Sequence, residues 1–264
     1  MDPKLLQARK AKLFHATNLR DFSSYINEGG ILSRNLLERH PEGFTEFFSD
    51  QKDKYLGVWN RSFGNLNDFG KYFWDRENST PNAYGPITIV MGHRVWPGFP
   101  DLKITDRTIT SSSHRELNDN DIDSIFVEKD GRFFLRSGYT GCEASTSLER
   151  LGFGDLAYVL VDPLEFNGRS LLDMVKEVSS PLIRPTQILE RSVKMKSQLE
   201  TYGLLIQWSL LLKGKLLRDN EDLRDSLPDN LIKWFDGLDG WKRSIMASWL
   251  TYTYNGTLSK MTEE

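Results

Sequence analysis

The sequence is poor in cysteine, since Cys142 is the only one among its 264 residues. A single cysteine excludes an intramolecular disulfide and a zinc site built from several cysteines. The four histidines lack the close spacing that is typical of metal sites. With 39% hydrophobic and 27% charged residues, the composition also excludes a disordered, collagenous or disulfide-framework protein.

Long apolar runs are missing as well. The opening MDPKLLQARKAK holds no stretch of signal-peptide length, and the most apolar later stretch, Leu204–Leu212, is interrupted by Gln207 and too short to span a bilayer. Together with the single cysteine, these features predict a cytoplasmic protein that does not bind a membrane. The net charge of −3 gives no broad attraction for nucleic acid, although a local basic groove is compatible with it.

Hydrophobic patterning predicts an α+β fold, with strands in the first two-thirds of the chain and helices in the last third. Apolar runs predict strands over residues 12–17, 87–91, 122–127, 132–135 and 157–161. Asn18 or Asp21 is expected to cap a helix over 22–27, which Gly29 and Gly30 end.

The hydrophobic period changes after about residue 170. From Ile188 to Leu210 apolar residues recur near helical spacing, and the stretches 231–235 and 241–254 predict further helices. This region is expected to be a helical C-terminal extension. Its tryptophans form either a helical core or an apolar surface for a partner, and they are Trp208, Trp234, Trp241 and Trp249.

One glycine motif fails its structural test. Gly152, Gly154 and Ala157 match the dinucleotide-binding spacing G-x-G-x-x-A, but that motif requires a helix after the glycines. Here the strand-like run AYVLV follows, so a glycine turn before a strand is the better interpretation.

Cys142 is a separate candidate for a catalytic residue. A thiolate nucleophile could act with a distant histidine such as His114 or His15, although a lone cysteine is more often a small buried hydrophobe. This alternative, a Cys–His hydrolase, predicts that Cys142→Ala abolishes activity and that Glu143→Gln does not.

Three stretches combine residues suited to binding a nucleotide. In FHATNLRDFSSYINEGGILSRN (14–35), His15 ends a strand ahead of a Gly-Gly turn whose backbone can approach a flat ring closely. In NRSFGNLNDFGKYFWDR (60–76), arginines alternate with aromatics that could stack on a base. In GYTGCEASTSLERLGFGDLAYVLVD (138–162), Glu143 lies in a small, polar setting. Each feature taken alone also fits a purely structural role, as a core residue or a solvent-exposed side chain.

In this order, with the buried run ITIVM before the third, the three stretches resemble the DarT-like ADP-ribosyltransferases. The resemblance covers roughly residues 12–165. It implies an ADP-ribosyltransferase-like mixed β-sheet core in a catalytic domain over 1–170, and NAD as the co-substrate. The helical region over 171–264 lies outside the resemblance.

The resemblance implies which residues of the first stretch bind NAD. His15 and Thr17 would hold the ribose and nicotinamide end. Gly30 and Leu32 would shape the pocket around it.

The resemblance implies the remaining site residues in the other two stretches. Glu143 would be the catalytic glutamate and Arg61 the catalytic arginine, with Arg76 as a rival that would also contact NAD. Tyr72 would be the aromatic residue beside the nicotinamide. The sequence departs from the family pattern at Gly70 and the lysine after it, which puts the local substrate contact in question.

The chemistry agrees with these implied roles. Cleavage of the bond between nicotinamide and ribose develops positive charge on the ribose, which a nearby carboxylate stabilises, as in glycoside hydrolysis. NAD is consumed as a substrate in such a reaction. A hydride-transfer fold is therefore unnecessary, in agreement with the failed dinucleotide motif.

The expected function is an NAD-dependent mono-ADP-ribosyltransferase toxin that modifies a nucleobase in single-stranded DNA or RNA, with a role in phage defence. The resemblance implies an antitoxin as partner, and a chaperone is a further candidate partner. The acidic pI of about 5.9 keeps a protein-targeting transferase open, and an NAD glycohydrolase is another alternative. A non-catalytic partner-binding module is a second alternative.

Overall fold

The computed structural model describes residues 1–47, 49–74, 82, 84–166, 168–179, 182–192, 252, 256–257 and 259–262. The helices expected over 231–235 and 241–254 lie outside the described residues except at Tyr252. Arg76 and the four tryptophans of the C-terminal region also lie outside them.

The described helices are α1 (Pro3–Ala8), α2 (Leu19–Glu28), α3 (Arg34–Glu38), α4 (Asp50–Tyr55), α5 (Phe69–Trp74), α6 (Ile122–Ile125), α7 (Leu171–Ser179) and α8 (Ser259–Thr262). The described strands are β1 (Leu13–Thr17), β2 (Gly30–Leu32), β3 (Ser62–Asn65), β4 (Ile87–Met91), β5 (Lys103–Thr105), β6 (Glu116–Leu117), β7 (Phe126–Lys129), β8 (Arg132–Leu135), β9 (Glu143–Thr146), β10 (Arg150–Gly152), β11 (Leu156–Val161), β12 (Glu165–Phe166), β13 (Arg169–Ser170) and β14 (Ile188–Glu190).

Eight strands form one sheet in the order β14-β11-β4-β1-β3-β9-β5-β6. The β11–β14 pair is parallel and the other neighbours are antiparallel, so the sheet is mixed. Three separate two-stranded pairs, β2–β10, β7–β8 and β12–β13, complete the described strands. The α+β fold with a mixed sheet is therefore confirmed.

The centre of the sheet carries the core. All five residues of β4 are buried, as expected for a strand covered on both faces. Helix α2 contacts β2 and α7, and α7 in turn contacts β11 and β14. These contacts bury the apolar face of α2, which Leu19, Phe22 and Ile26 form at helical spacing.

The ends of α2 follow the chemistry expected from the sequence. Oδ1 of Asn18 accepts a hydrogen bond from the Asp21 N–H at 2.8 Å, which satisfies one of the unpaired amides of the first turn. Gly29 ends the helix with a φ of +68°, a left-handed conformation that glycine adopts without strain. Both the cap and the glycine stop are confirmed.

Strands β1 and β3 share a single residue pair, Phe14 with Asn65. By contrast, β1 and β4 pair along five residues, from Leu13 to Thr17. The sheet is therefore continuous on one side of β1 and barely joined on the other. This weak seam lies next to His15 and Phe63, and it positions the pocket described below.

Two secondary-structure predictions are wrong. Residues 122–125 form helix α6 rather than the start of a strand, because Ile122 and Ile125 are buried on one helical face, three residues apart. Ile188 begins β14 rather than a helix, because it pairs in parallel with Val159 at the edge of the main sheet. Short apolar runs do not distinguish the two structures by period alone.

The glycine motif at Gly152 takes the form expected of a turn. Strand β10 ends at Gly152, a 3₁₀ turn covers Phe153–Asp155, and β11 begins at Leu156. No helix follows the glycines, so this motif offers no dinucleotide site. Within the described part of the chain, no helix is both long enough and apolar enough to cross a membrane.

Candidate active site

A pocket of about 130 Å³ lies beside the seam between β1 and β3. All three stretches singled out in the sequence contribute to its lining. His15 and Leu32 come from the first stretch, Arg61 from the second and Glu143 from the third. Residues that are far apart in the sequence thus surround one cavity, which is the arrangement that a nucleotide site requires.

Strand pairing places Glu143 on this pocket. Glu143 is the first residue of β9 and pairs with Asn65, which in turn pairs with Phe14 beside His15. Two strand spacings separate Glu143 from β1, or about 10 Å between backbones. Strand β3 lies between them, and both Glu143 and His15 line the pocket.

The surroundings of Glu143 disfavour its charge. Burial, with the charge of Asp53, raises the pKa of its carboxyl to about 7, while the N–H of Ile109 donates to Oε1 at 2.9 Å and opposes the rise. Glu143 is therefore poised between its neutral and ionised forms at physiological pH. A pKa near the working pH suits a group that holds or moves a proton.

Asp53 supplies a second carboxyl to the same pocket from helix α4. Burial, with the charge of Asp50, raises its pKa to about 6 against the hydrogen bond that the Ser49 hydroxyl donates at 3.0 Å. Two acidic groups with raised pKa values in one cleft are typical of a functional site. The sequence does not single out Asp53, because its setting, DQKDKY, looks like a solvated helix surface.

Arg61 is held firmly at the rim of the pocket. Its Nε donates to Oγ of Ser145 at 3.1 Å, its Nη2 donates to the carbonyl oxygen of Asp101 at 3.0 Å, and its Nη1 forms an ion pair with the Asp101 carboxylate. Ser145 lies two residues after Glu143 in β9, and alternate residues of a strand share a face. The Arg61 guanidinium is thus anchored on the face of β9 that carries Glu143.

Asp101 is ionised as the partner of Arg61. Burial alone would raise its pKa, but hydrogen bonds from the Ser147 amide and from Arg61 lower the pKa of Asp101 to about 2. The ion pair therefore persists across the physiological pH range and fixes the Arg61 guanidinium.

His15 spans the seam between β1 and β3. Its Nδ1 lies 2.8 Å from the carbonyl oxygen of Phe63, so Nδ1–H donates there, and Nε2 at 3.2 Å accepts from the Tyr25 hydroxyl. Burial, with the charge of Arg34, lowers the pKa of His15 to about 4 against the Phe63 hydrogen bond. His15 is neutral at pH 7, with both ring nitrogens engaged, so it positions groups rather than transferring protons.

Arg34 lines the pocket and pairs with two carboxylates, and it is not among the residues predicted from the sequence. Its guanidinium bonds Asp50 at 2.6 and 3.2 Å and Asp21 at 3.2 Å. It also lies over the ring of Phe44, 4.7 Å from the centroid. The signal was present, since Arg34 is the second-last residue of the first stretch, but nothing in the sequence pairs it with two carboxylates 13 and 16 residues away.

An aromatic cluster forms another wall of the pocket. The ring of Phe47 lies 5.5 Å from that of Tyr84 and 5.0 Å from that of Tyr252, and Tyr84 also stacks on Phe69 at 5.2 Å. Phe47, Tyr84 and Tyr252 line the pocket. Their identities could not be predicted, because they come from a loop before α4, a loop before β4 and the C-terminal region.

Two of the predicted NAD-binding residues do not line the pocket. Thr17 is fully buried, and its hydroxyl donates to the carbonyl oxygen of Asn18 at 3.4 Å. Gly30 pairs with Gly152 across the β2–β10 ladder, where a Cβ at position 30 would lie 2.4 Å from the Leu151 carbonyl oxygen. Thr17 is therefore a buried residue away from the pocket lining, and the close pairing of β2 with β10 requires glycine at position 30.

The remaining predictions fall on the segment after β3. Tyr72 belongs to α5, but its side chain, like the whole of Arg76, lies outside the described residues. The glycine that departs from the family pattern has a structural cause. A Cβ at Gly70 would lie 2.2 Å from Nη2 of Arg191, whose guanidinium bonds Asp68 and Asp162.

Cys142 is unsuited to nucleophilic catalysis. Its side chain is fully buried in the core, and burial, with the charge of Asp106, raises the pKa of its thiol to about 12. The reactive thiolate is therefore scarce at neutral pH. Cys142 packs as a small hydrophobe, which excludes the Cys–His hydrolase.

Comparison with known proteins gives structural neighbours only. No protein-family model and no curated protein matches the chain. Among solved structures, it is similar to Thermus sp. 2.9 DarT in complex with ADP-ribosylated ssDNA, at a TM-score of 0.46 and 11% identity over 69% of this chain and 94% of that one.

Two further structures are similar. Thermus sp. 2.9 DarT in complex with NAD+ has a TM-score of 0.42 and 12% identity, over 69% of this chain and 96% of that one. Thermosipho africanus DarTG in complex with ADP-ribose has a TM-score of 0.43 and 12% identity, over 68% of this chain and 49% of that one. The neighbours are thus DarT proteins, the group that the sequence resembles. Likeness at this level assigns no role to any residue, so the contacts within the pocket have to do so.

Proposed function

We propose that this chain is an ADP-ribosyltransferase that consumes NAD and transfers ADP-ribose to a nucleobase of single-stranded DNA. One observation carries the proposal. Glu143, Arg61 and His15, from three separate stretches of sequence, surround one pocket. There the carboxyl of Glu143 has a pKa raised to about 7. A carboxyl of this kind facing a ring-sized space suits cleavage of a glycosidic bond.

The reaction follows from the groups around the pocket. The bond between C1′ of the ribose and the nicotinamide nitrogen breaks, and nicotinamide leaves with the electron pair. Ionised Glu143 stabilises the positive charge that develops on the ribose. A nucleophilic atom of the base then bonds to C1′, and Glu143 accepts the proton that this atom gives up. General-base help of this kind is worth roughly 10²–10⁴-fold in rate.

The pocket fits the nicotinamide end of NAD. Its volume, about 130 Å³, is close to the ~150 Å³ of a cavity that holds one benzene ring. Phe47, Tyr84 and Tyr252 give it an aromatic wall, and a pyridinium ring is attracted to aromatic faces. Arg61 uses three N–H groups in its contacts with Ser145 and Asp101, and a guanidinium has five, so donors remain for an anionic group such as phosphate.

Single-stranded DNA is the acceptor to test first. Thermus sp. 2.9 DarT, whose structure is similar to this chain, was solved in complex with ADP-ribosylated ssDNA and also in complex with NAD+. RNA and protein are the competing acceptors. Control by an antitoxin, a toxin role and a place in phage defence are further proposals that rest on the sequence resemblance.

The test is an incubation of the full chain with NAD and, separately, single-stranded DNA, RNA or cell protein. Nicotinamide release and mass gain on each acceptor are measured, with Glu143→Gln as the matched control because it keeps the size of the side chain and loses the charge. ADP-ribose on DNA that disappears in Glu143→Gln is the expected result. Nicotinamide release without any acceptor gain would instead identify an NAD glycohydrolase, and gain on RNA or protein alone would correct the acceptor.

A further inference from the structure

The C-terminal region returns to the pocket. Tyr252 is buried, with 6% of its surface exposed, and it lines the same cavity as Glu143 and His15. It lies outside the stretch that resembles a known catalytic domain, which ends near residue 165. A residue of this pocket therefore comes from a part of the chain to which the resemblance assigns no function.

Two neighbouring contacts fix the C-terminal segment on the start of α2. Oγ1 of Thr257 accepts a hydrogen bond from the N–H of Leu19 at 3.2 Å, in the first turn of that helix. Gly256 lies against Asn18 so closely that a Cβ at position 256 would be 2.2 Å from the Asn18 Cγ. Farther on, Met261 is buried in the core. The segment is thus docked by interactions that do not depend on Tyr252.

The side chain of Tyr252 has one orientation. Its hydroxyl donates to Oδ2 of Asp21 at 3.1 Å, and Asp21 also accepts from Arg34 and from the Thr45 N–H. The ring meets Phe47 edge to face, with 5.0 Å between centroids. Because the polar end is bound to a buried carboxylate, the part of Tyr252 that faces the pocket is its aromatic ring.

The neighbours of Tyr252 indicate which substrate group it meets. With Phe47 and Tyr84, Tyr252 forms the aromatic wall of a cavity of about 130 Å³, close to the ~150 Å³ that holds one benzene ring. A pyridinium ring is attracted to aromatic faces, so this wall suits the nicotinamide of NAD. Tyr252 therefore lies on the nicotinamide side of the pocket.

We propose that Tyr252 is a substrate-binding residue whose ring contacts the nicotinamide riboside end of NAD, so that the C-terminal segment completes the site. The inference rests on the proposed function, since it concerns the same pocket. It assigns to the region after residue 170 a direct part in holding the substrate.

Calorimetric titration with NAD tests the inference on the full chain. Tyr252→Leu removes the ring, and Tyr252→Phe keeps the ring but loses the bond to Asp21. We expect Tyr252→Leu to weaken NAD binding about tenfold, which is the loss of one aromatic contact, and Tyr252→Phe to bind within about threefold of the wild type. Tyr55→Leu is the matched control, because Tyr55 is 88% exposed, and it should not change binding.

Steady-state kinetics separate binding from chemistry. If Tyr252 only holds the substrate, Tyr252→Leu raises KM for NAD and leaves kcat within about threefold. Gly256→Ala, which pushes the segment away from Asn18 without touching Tyr252, should raise KM in the same direction.

The outcomes are distinct. Wild-type protein that binds NAD, with Tyr252→Leu equal to it, overturns the inference and leaves the proposed function intact. Wild-type protein that binds no NAD overturns both. If Tyr252→Leu does not fold, hydrogen exchange of the wild type decides. Slower exchange over residues 252–257 on adding NAD supports the contact, and unchanged exchange overturns it.

Discussion

The Nδ1 atom of His15 lies 2.8 Å from the carbonyl oxygen of Phe63, across the seam where β1 and β3 stop pairing. A side-chain hydrogen bond here takes the place of the backbone bonds that a regular ladder would make. It joins the two strands and leaves a space next to them. The imidazole thus adds a side-chain link beside the one backbone pair, Phe14 with Asn65, and the pocket lies next to it.

Replacing His15 by leucine should therefore loosen the seam. The Phe63 carbonyl and the Tyr25 hydroxyl both lose a partner, and a buried polar group without one costs about 1–3 kcal/mol. His15→Asn is the matched variant, because an Asn amide N–H can take the place of Nδ1–H. Urea denaturation should show a clear loss of unfolding free energy for His15→Leu and a smaller loss for His15→Asn. Equal stability of His15→Leu and the wild type would contradict this role.

Glu143 should make the folded protein less stable as the pH rises. Its pKa is about 7 in the folded state and ordinarily 4.5, so between these values the folded protein binds more protons than the unfolded chain. Stability therefore falls as the pH rises from 4.5 to 7 and stays low above 7. Glu143→Gln removes this penalty.

Thermal or urea unfolding at two pH values measures that penalty. Glu143→Gln should exceed the wild type in unfolding free energy, and the gain should be larger at pH 8 than at pH 5 by about 2 kcal/mol. A gain that is the same at both pH values would show that the carboxyl is not desolvated as the structure indicates.

The rate of NAD cleavage should follow the ionisation of Glu143. Because the ionised carboxylate stabilises the ribosyl cation, kcat/KM is expected to rise with pH and to level off above about 7. His15, with a pKa lowered to about 4, should add no step between pH 5 and 8. A pH–rate profile measured over this range tests both statements, and a flat profile would exclude Glu143 as the titrating group.

Arg61→Lys should lower kcat/KM for NAD although the positive charge is kept. The guanidinium bonds Ser145 and both the carboxylate and the carbonyl of Asp101 at once, and a single ammonium group cannot reproduce that planar fork. We expect kcat/KM to fall at least tenfold in Arg61→Lys. Arg94→Lys is the matched control, since Arg94 is an exposed arginine that pairs with Asp155 and does not line the pocket. Wild-type kinetics in Arg61→Lys would show that only the charge matters.

Much of the fold could be predicted because the strong signals are local. The run ITIVM is buried on both faces as β4, and the Asn18 cap and Gly29 stop bound α2. Ile188 could not be assigned in the same way, because its strand exists only through pairing with β11. A short apolar run takes its structure from its neighbours, and single-sequence patterns do not contain them.

The candidate site was likewise predictable only in part. The sequence placed His15, Arg61 and Glu143 together by resemblance, and the structure puts them around one pocket, while their roles stay predictions. Arg34 and Tyr252 could not be found, because what marks them is the shared partner Asp21, which lies far from Tyr252 in the sequence. Contacts of this kind depend on the completed fold.

Nicotinamide release from NAD by three proteins tests the central claim most directly. The wild type, Glu143→Gln and Cys142→Ala are compared at pH 8, each shown to be folded. If Glu143 carries the chemistry, the wild type and Cys142→Ala release nicotinamide at similar rates, and Glu143→Gln is at least about 100-fold slower. Release that survives in Glu143→Gln and is lost in Cys142→Ala would contradict the account.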